Sequence, residues 1–168
     1  MSEQDIVPPP KRIPRSSDEQ ARLEALLHEL FERMISFNRL LGLKVDSVDP
    51  ATTRLRFEMR PELVGHFLHG RLHGGVISAA LDTAGGLGLM AAIADRYIDE
   101  TIEQIAQRLS RLGTIDLRVD FLRPGIGKFF VASAHVTRLG NRIGSTQMRL
   151  ENETGVLIAT GSAAYVLS

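Results

Sequence analysis

Leu23, Leu26, Leu27, Leu30, Phe31, Met34 and Ile35 recur at helical spacing among polar residues, which predicts an amphipathic helix opened by a Ser17–Gln20 capping pair and closed before Gly42. The period then drops to two. Leu43 and Val45 alternate with Lys44 and Asp46, and Leu55, Phe57 and Met59 alternate with Arg54, Arg56, Glu58 and Arg60, so two antiparallel strands are expected about an Asp49-Pro50-Ala51 turn. Pro61 stops the second, and the mixed polarity of 62–72 reads as a loop. From Val76 to Ala94 the chain is apolar on every side, and Asp82 is its one charged residue. The length approaches a membrane span, but the run is rich in Gly and Ala and carries a carboxylate near its middle, so a helix wrapped by a sheet is the better reading. Ile98, Ile102, Ile105, Leu109 and Leu112 predict a second amphipathic helix, an insert near 96–112 with Gly113 as its C-cap. Ile115, Leu117, Val119 and Phe121 then make one apolar strand face, and strands over 129–139, 143–151 and 156–167 follow between Gly- and Asn-rich turns. That order predicts an α+β fold, a curved antiparallel sheet around one long helix.

Residues 1–16, with Pro8-Pro9-Pro10 and Pro14, are expected to be a disordered tail ahead of a single domain over 17–168. Lys plus Arg equal Asp plus Glu at 20 each, so the basic footprint of a nucleic-acid binder is absent. The chain has no cysteine, which excludes disulfides, thiol catalysis and thiolate metal sites together. No apolar h-region supports a secretory signal, and a cytoplasmic protein with no membrane insertion is expected.

The candidate chemistry centres on His73-Gly74-Gly75, bare backbone feeding the apolar helix. Helix N-termini carry unpaired N–H donors and partial positive charge, an oxyanion hole in outline. Asp82 lies two turns beyond Gly75 on the face of Gly75 and Ser78. A buried carboxylate is costly unless it is hydrogen-bonded, paired or functional. His66, His69, His73 and Asp82 invite a zinc reading, but the glycines among them argue against the helix that would align the imidazoles, and neither metal nor cofactor is expected. No Gly-x-Ser-x-Gly elbow is present.

The run His73 to Asp82, followed by Thr114-Ile115-Asp116-Leu117-Arg118-Val119-Asp120-Phe121-Leu122-Arg123-Pro124, resembles the hotdog-fold acyl-CoA thioesterases of the phenylacetyl-CoA thioesterase-like branch. The resemblance covers nearly everything from Leu41 onward. It implies that Asp82 attacks the thioester or activates water, that the Gly74 N–H polarises its carbonyl, that His73 orients the turn, and that Thr114 holds the water or the carboxylate. It also implies a homodimer or homotetramer in which Asp82 of one subunit works with the Gly74 turn of its neighbour. The family often has an asparagine shortly before the histidine-glycine-glycine; here the chain reads His66-Phe67-Leu68-His69-Gly70-Arg71-Leu72, and His66 is the candidate replacement. Thr114 alternates to the face opposite Ile115 and Leu117, a tension with its implied role.

Hydrolysis of acyl-CoA, within fatty acid metabolism, is therefore the expected activity. The small residues Ala79, Ala80, Ala84, Gly85 and Gly88, with the helical insert as cover, suggest room for a medium or longer acyl chain beside Gly75. Arg138 and Arg142 flank the Gly140-Asn141 turn and suit the nucleotide phosphates. Two rivals stay open: a non-catalytic acyl-CoA or acyl-carrier binding protein, and a hotdog dehydratase or hydratase.

Overall fold

The computed structural model describes residues 14–66 and 68–167. Residues 1–13 of the expected tail, with Phe67 and Ser168, lie outside the described residues. Arg15 and Ser16 already take part in the fold. The Arg15 N–H donates to the Ile98 carbonyl at 3.0 Å and its guanidinium to the carbonyls of Tyr97 and Ala94. Ser16, not Ser17, caps α1 (Ser17–Glu29), and Glu19, not Gln20, completes the capping box. One residue decides this because only Ser16 has the extended backbone a cap needs.

The expected single helix is broken. A π-turn at Leu30–Met34 and an extended Ile35 separate α1 from α2 (Ser36–Leu41), which ends on left-handed Gly42. Buried Asn38 bridges the break, donating to the Phe31 carbonyl at 3.1 Å. The turn aims α2 away from the core, so that Met34, Phe37 and Leu40 are exposed while Leu41 is buried.

Strands β1 (Lys44–Ser47) and β2 (Thr53–Glu58) follow as expected. The segment read as a loop instead holds a 3-10 turn at Pro61–Leu63 and a small hairpin of β3 (Val64–His66) and β4 (Arg71–Leu72). Helix α3 spans Gly74–Arg96, about 34 Å at 1.5 Å per residue. The insert yields a shorter α4 (Ile102–Leu109), capped by Thr101 and Gln104. Strands β5 (Gly113–Phe121), β6 (Phe129–Leu139), β7 (Ile143–Asn152) and β8 (Leu157–Val166) complete one antiparallel sheet in the order β1-β2-β6-β7-β8-β5.

The sheet wraps α3, the hotdog arrangement. Small residues let the two approach: a Cβ at Gly144 would sit 2.5 Å from Leu89, and one at Gly161 would meet both Met148 and Leu81. Leu81, Leu87 and Leu89 are fully buried, each contributing about 1.5–3 kcal/mol. By length and composition α3 is long and apolar enough to cross a membrane, but 67% of that window is buried inside the fold.

Candidate active site

His73 is the N-cap of α3: its Nδ1 accepts the Gly75 N–H at 2.9 Å, which leaves the proton of a neutral imidazole on Nε2. Its carbonyl takes the N–H groups of Val76 and Ile77. Among the described residues this leaves the Gly74 N–H as the first-turn donor without an acceptor. Gly65 holds the cap in place, since a Cβ there would lie 2.5 Å from the His73 Cα. The Phe121 ring covers Gly74 from the end of β5.

Asp82 is half-buried, and its surroundings are more polar than the sequence suggests. The Thr114 hydroxyl donates to Oδ1 at 2.9 Å, and the Tyr165 hydroxyl reaches the same oxygen at 3.2 Å and the Asp82 carbonyl at 2.9 Å. Thr114 gets there through a β-bulge. Thr114 pairs with Tyr165 and Asp116 with Ala164, so Ile115 is the extra residue. The extra residue reverses the alternation, putting Thr114 on the inner face with Leu117 and Val119 and leaving Ile115 58% exposed. The expected apolar face of Ile115, Leu117, Val119 and Phe121 is corrected at two positions: the bulge turns Ile115 out, and Phe121, at the end of the strand beside Gly74, is exposed.

Tyr165 is the site residue that sequence reasoning missed. It is fully buried, and burial, then the neighbouring Asp82 charge and hydrogen bond, raise its pKa far above the usual tyrosine value. The phenol therefore stays a neutral donor at any working pH. Gly85 makes room for it, because a Cβ there would overlap the Tyr165 hydroxyl and lie 2.8 Å from the Thr146 Oγ1. A lone aromatic in the small-residue run Gly161 to Tyr165, facing a glycine one turn past Asp82, was the available signal. This packing also corrects the expected acyl space beside the small residues of α3. Gly85 is filled by Tyr165, and Gly88 faces Thr53 and Ala134.

Three further candidates remain. His66 sits in β3 and stacks on His69 with ring centroids 4.7 Å apart. Arg138 and Arg142 flank the β6–β7 turn, which Arg96 ties to the far end of α3 through the Leu139 carbonyl and Asn141. Within one subunit that end is about 33 Å from Gly74. Among the described residues no group of three or more His, Asp or Glu gathers where it could hold a metal ion.

The model of the thioesterase superfamily matches residues 69–159, which include both the His73 turn and Asp82. The chain belongs to this superfamily. It is 41% identical to a Salmonella typhimurium protein named medium/long-chain acyl-CoA thioesterase YigI, over 84% of this chain and 92% of that one. The Escherichia coli protein of the same name is 39% identical over the same shares. A Shewanella oneidensis crystal structure related to the thioesterase superfamily superposes with a TM-score of 0.85 at 39% identity, covering 92% of this chain and 100% of that one. His73, Gly74, Asp82 and Thr114 thus lie within the superfamily's matched region, whereas α1 and α2 precede it and Tyr165 follows it.

Proposed function

We propose that this chain hydrolyses medium- to long-chain acyl-CoA thioesters to the free acid and coenzyme A. The observation that carries the reading is an Asp82 carboxylate fixed by Thr114 and Tyr165 on the helix whose first N–H, at Gly74, is open to an oxyanion. The thioesterase names of its relatives support the substrate class. In the general-base route Asp82 takes a proton from water, and the oxygen adds to the thioester carbon. The tetrahedral oxyanion is held by the Gly74 N–H. Collapse expels the thiolate, which receives the proton from Asp82. In the nucleophilic route Asp82 attacks the thioester carbon and expels the thiolate to give a mixed anhydride, which water then opens to the acid and the free Asp82 carboxylate, its proton going to the thiolate. Thr114 and Tyr165 hold the carboxylate in either route, and His73 fixes the turn. Thiol release across an acyl-CoA panel is the test; binding without release would reject hydrolysis in favour of a binding protein.

Gly74 and Asp82 of one subunit are eight rises apart, about 12 Å along the axis, too far to serve one carbonyl carbon. Two chains related by a two-fold axis, with their α3 helices antiparallel, bring each Asp82 to the other's Gly74. The edge strand β5, with Ile115 and Phe121 exposed, supports such a contact. A dimer or dimer of dimers is expected by light scattering; a fully active monomer at micromolar concentration would reject the shared site. The same pairing carries the neighbour's β6–β7 turn about 21 Å beyond Gly74, fourteen rises past its Asp82. Arg138 and Arg142 then serve the neighbour's substrate. Replacing both with alanine should raise KM for acyl-CoA far more than for a thioester lacking the nucleotide, and equal effects would remove them from the site. The reading includes action in the cytoplasm on fatty acyl thioesters, with α3 enclosed by protein.

A further inference from the structure

Two grooves flank the His73-Gly74-Gly75 turn, and they differ in chemistry. On one side a shallow groove of about 330 Å³ passes Gly74 and Phe121, with the cations Arg71 and Arg123 along it among Leu72, Leu122 and Pro124. The Arg123 guanidinium is steadied by the Leu157 carbonyl at 2.9 Å, and among the described residues neither arginine meets a carboxylate. On the other side a cleft of about 410 Å³ lies between α2 and the first turn of α3, walled by Phe37, Leu40, Leu63, Val64 and Val76, with Glu62 as the one acidic residue along it. His73 and Gly75 also line it. Both volumes fall in the range of small-ligand sites, roughly 300–1,000 Å³.

The cleft is apolar where a short surface helix should be polar. Phe37 is 54% and Leu40 66% exposed on a six-residue helix. Scattered exposed apolar residues need no explanation, but a contiguous pair walling a cleft marks a binding surface. The break at Ile35 is what turns these side chains out.

We infer that the substrate's acyl chain lies in this α2 cleft and that the coenzyme arm leaves on the opposite side, past Arg71 and Arg123. The inference rests on the thioesterase reading above. Its physical basis is continuity. A carbonyl held at the Gly74 N–H has one neighbour in the apolar cleft at Gly75 and the other in the groove that carries Arg71 and Arg123, so the two ends of the thioester sort by charge. The interior alternative beside α3 is filled by Tyr165, Thr53 and Ala134. Burying one methylene is worth a factor of about four in affinity, so a cleft of this size can set chain-length preference.

The test is the Phe37→Ser, Leu40→Ser double variant, whose replaced side chains are more than half exposed and bear little on folding. Two ratios are compared with the unsubstituted protein: kcat/KM for dodecanoyl-CoA over butanoyl-CoA, and affinity for the matching non-hydrolysable alkyl-CoA thioethers. Both ratios are expected to fall at least tenfold. Ratios that stay constant would overturn the assignment, whether the absolute rates change or not. A fall accompanied by loss of the dimer would give the face to the second subunit and also overturn it. If the unsubstituted protein binds the thioethers but releases no thiol, hydrolysis fails while the thioether ratio still decides the cleft.

Discussion

Asp82→Asn is expected to lower kcat at least about a hundredfold, the low end of what a general base contributes, with affinity for acyl-CoA retained. The amide oxygen still accepts from Thr114 and Tyr165, at present 2.9 and 3.2 Å from Oδ1, so the side chain keeps its place. What is lost is the charge, and with it the ability to attack a carbonyl or take a proton. Near-normal turnover in a folded variant shown free of deamidation would reject the assignment. A single turnover in oxygen-18 water separates the two routes. Label entering Asp82 indicates the anhydride, and label appearing only in the released acid indicates direct attack by water.

Gly85→Ala is expected to destabilise the fold and slow the reaction together. Alanine normally favours a helix over glycine by up to about 1 kcal/mol. Here its Cβ overlaps the Tyr165 hydroxyl inside a packed core, and overpacking typically costs about 1–3 kcal/mol. Displacing that hydroxyl also frees the Asp82 carboxylate from one of its two donors. Tyr165→Phe alone loses the same hydrogen bonds, one of them to a carboxylate, at a cost of about 1–3 kcal/mol. Combined, the two changes should be less destabilising than their sum, because phenylalanine lacks the atom that the new methyl strikes. Urea melts of the four proteins measure the coupling, and strict additivity would mean that Gly85 does not serve Tyr165. The raised pKa of Tyr165 adds a further mark: no alkaline limb of the kcat profile near the usual tyrosine pKa should belong to it.

Much of this was legible in the residues. The switch from a period near 3.6 to one of two located every long element, and the spacing from His73 to Asp82 picked out the turn and the carboxylate on which the proposed reaction rests. What escaped was decided by tertiary pairing. The break at Ile35 has neither proline nor glycine to announce it and depends on Asn38 reaching back to Phe31. The place of Ile115 depends on how β5 registers against β8, which no property of β5 alone specifies. Gly85 and Gly88 read as empty space because the side chains that fill it come from residues far along the chain.

The Ile115 bulge also bears on how such a site changes over generations of sequence. The placement of Thr114 toward Asp82 is set by a count of residues between it and Leu117, not by the identity of any of them. Codon replacement cannot alter that count, and loss of the Ile115 codon would leave Thr114 two positions from Leu117, where plain alternation already points both inward. The threonine–aspartate contact is therefore tolerant both of substitution in the neighbouring positions and of loss of the bulged residue itself, so a deletion of Ile115 separates the aim of the hydroxyl from whatever else the bulge provides.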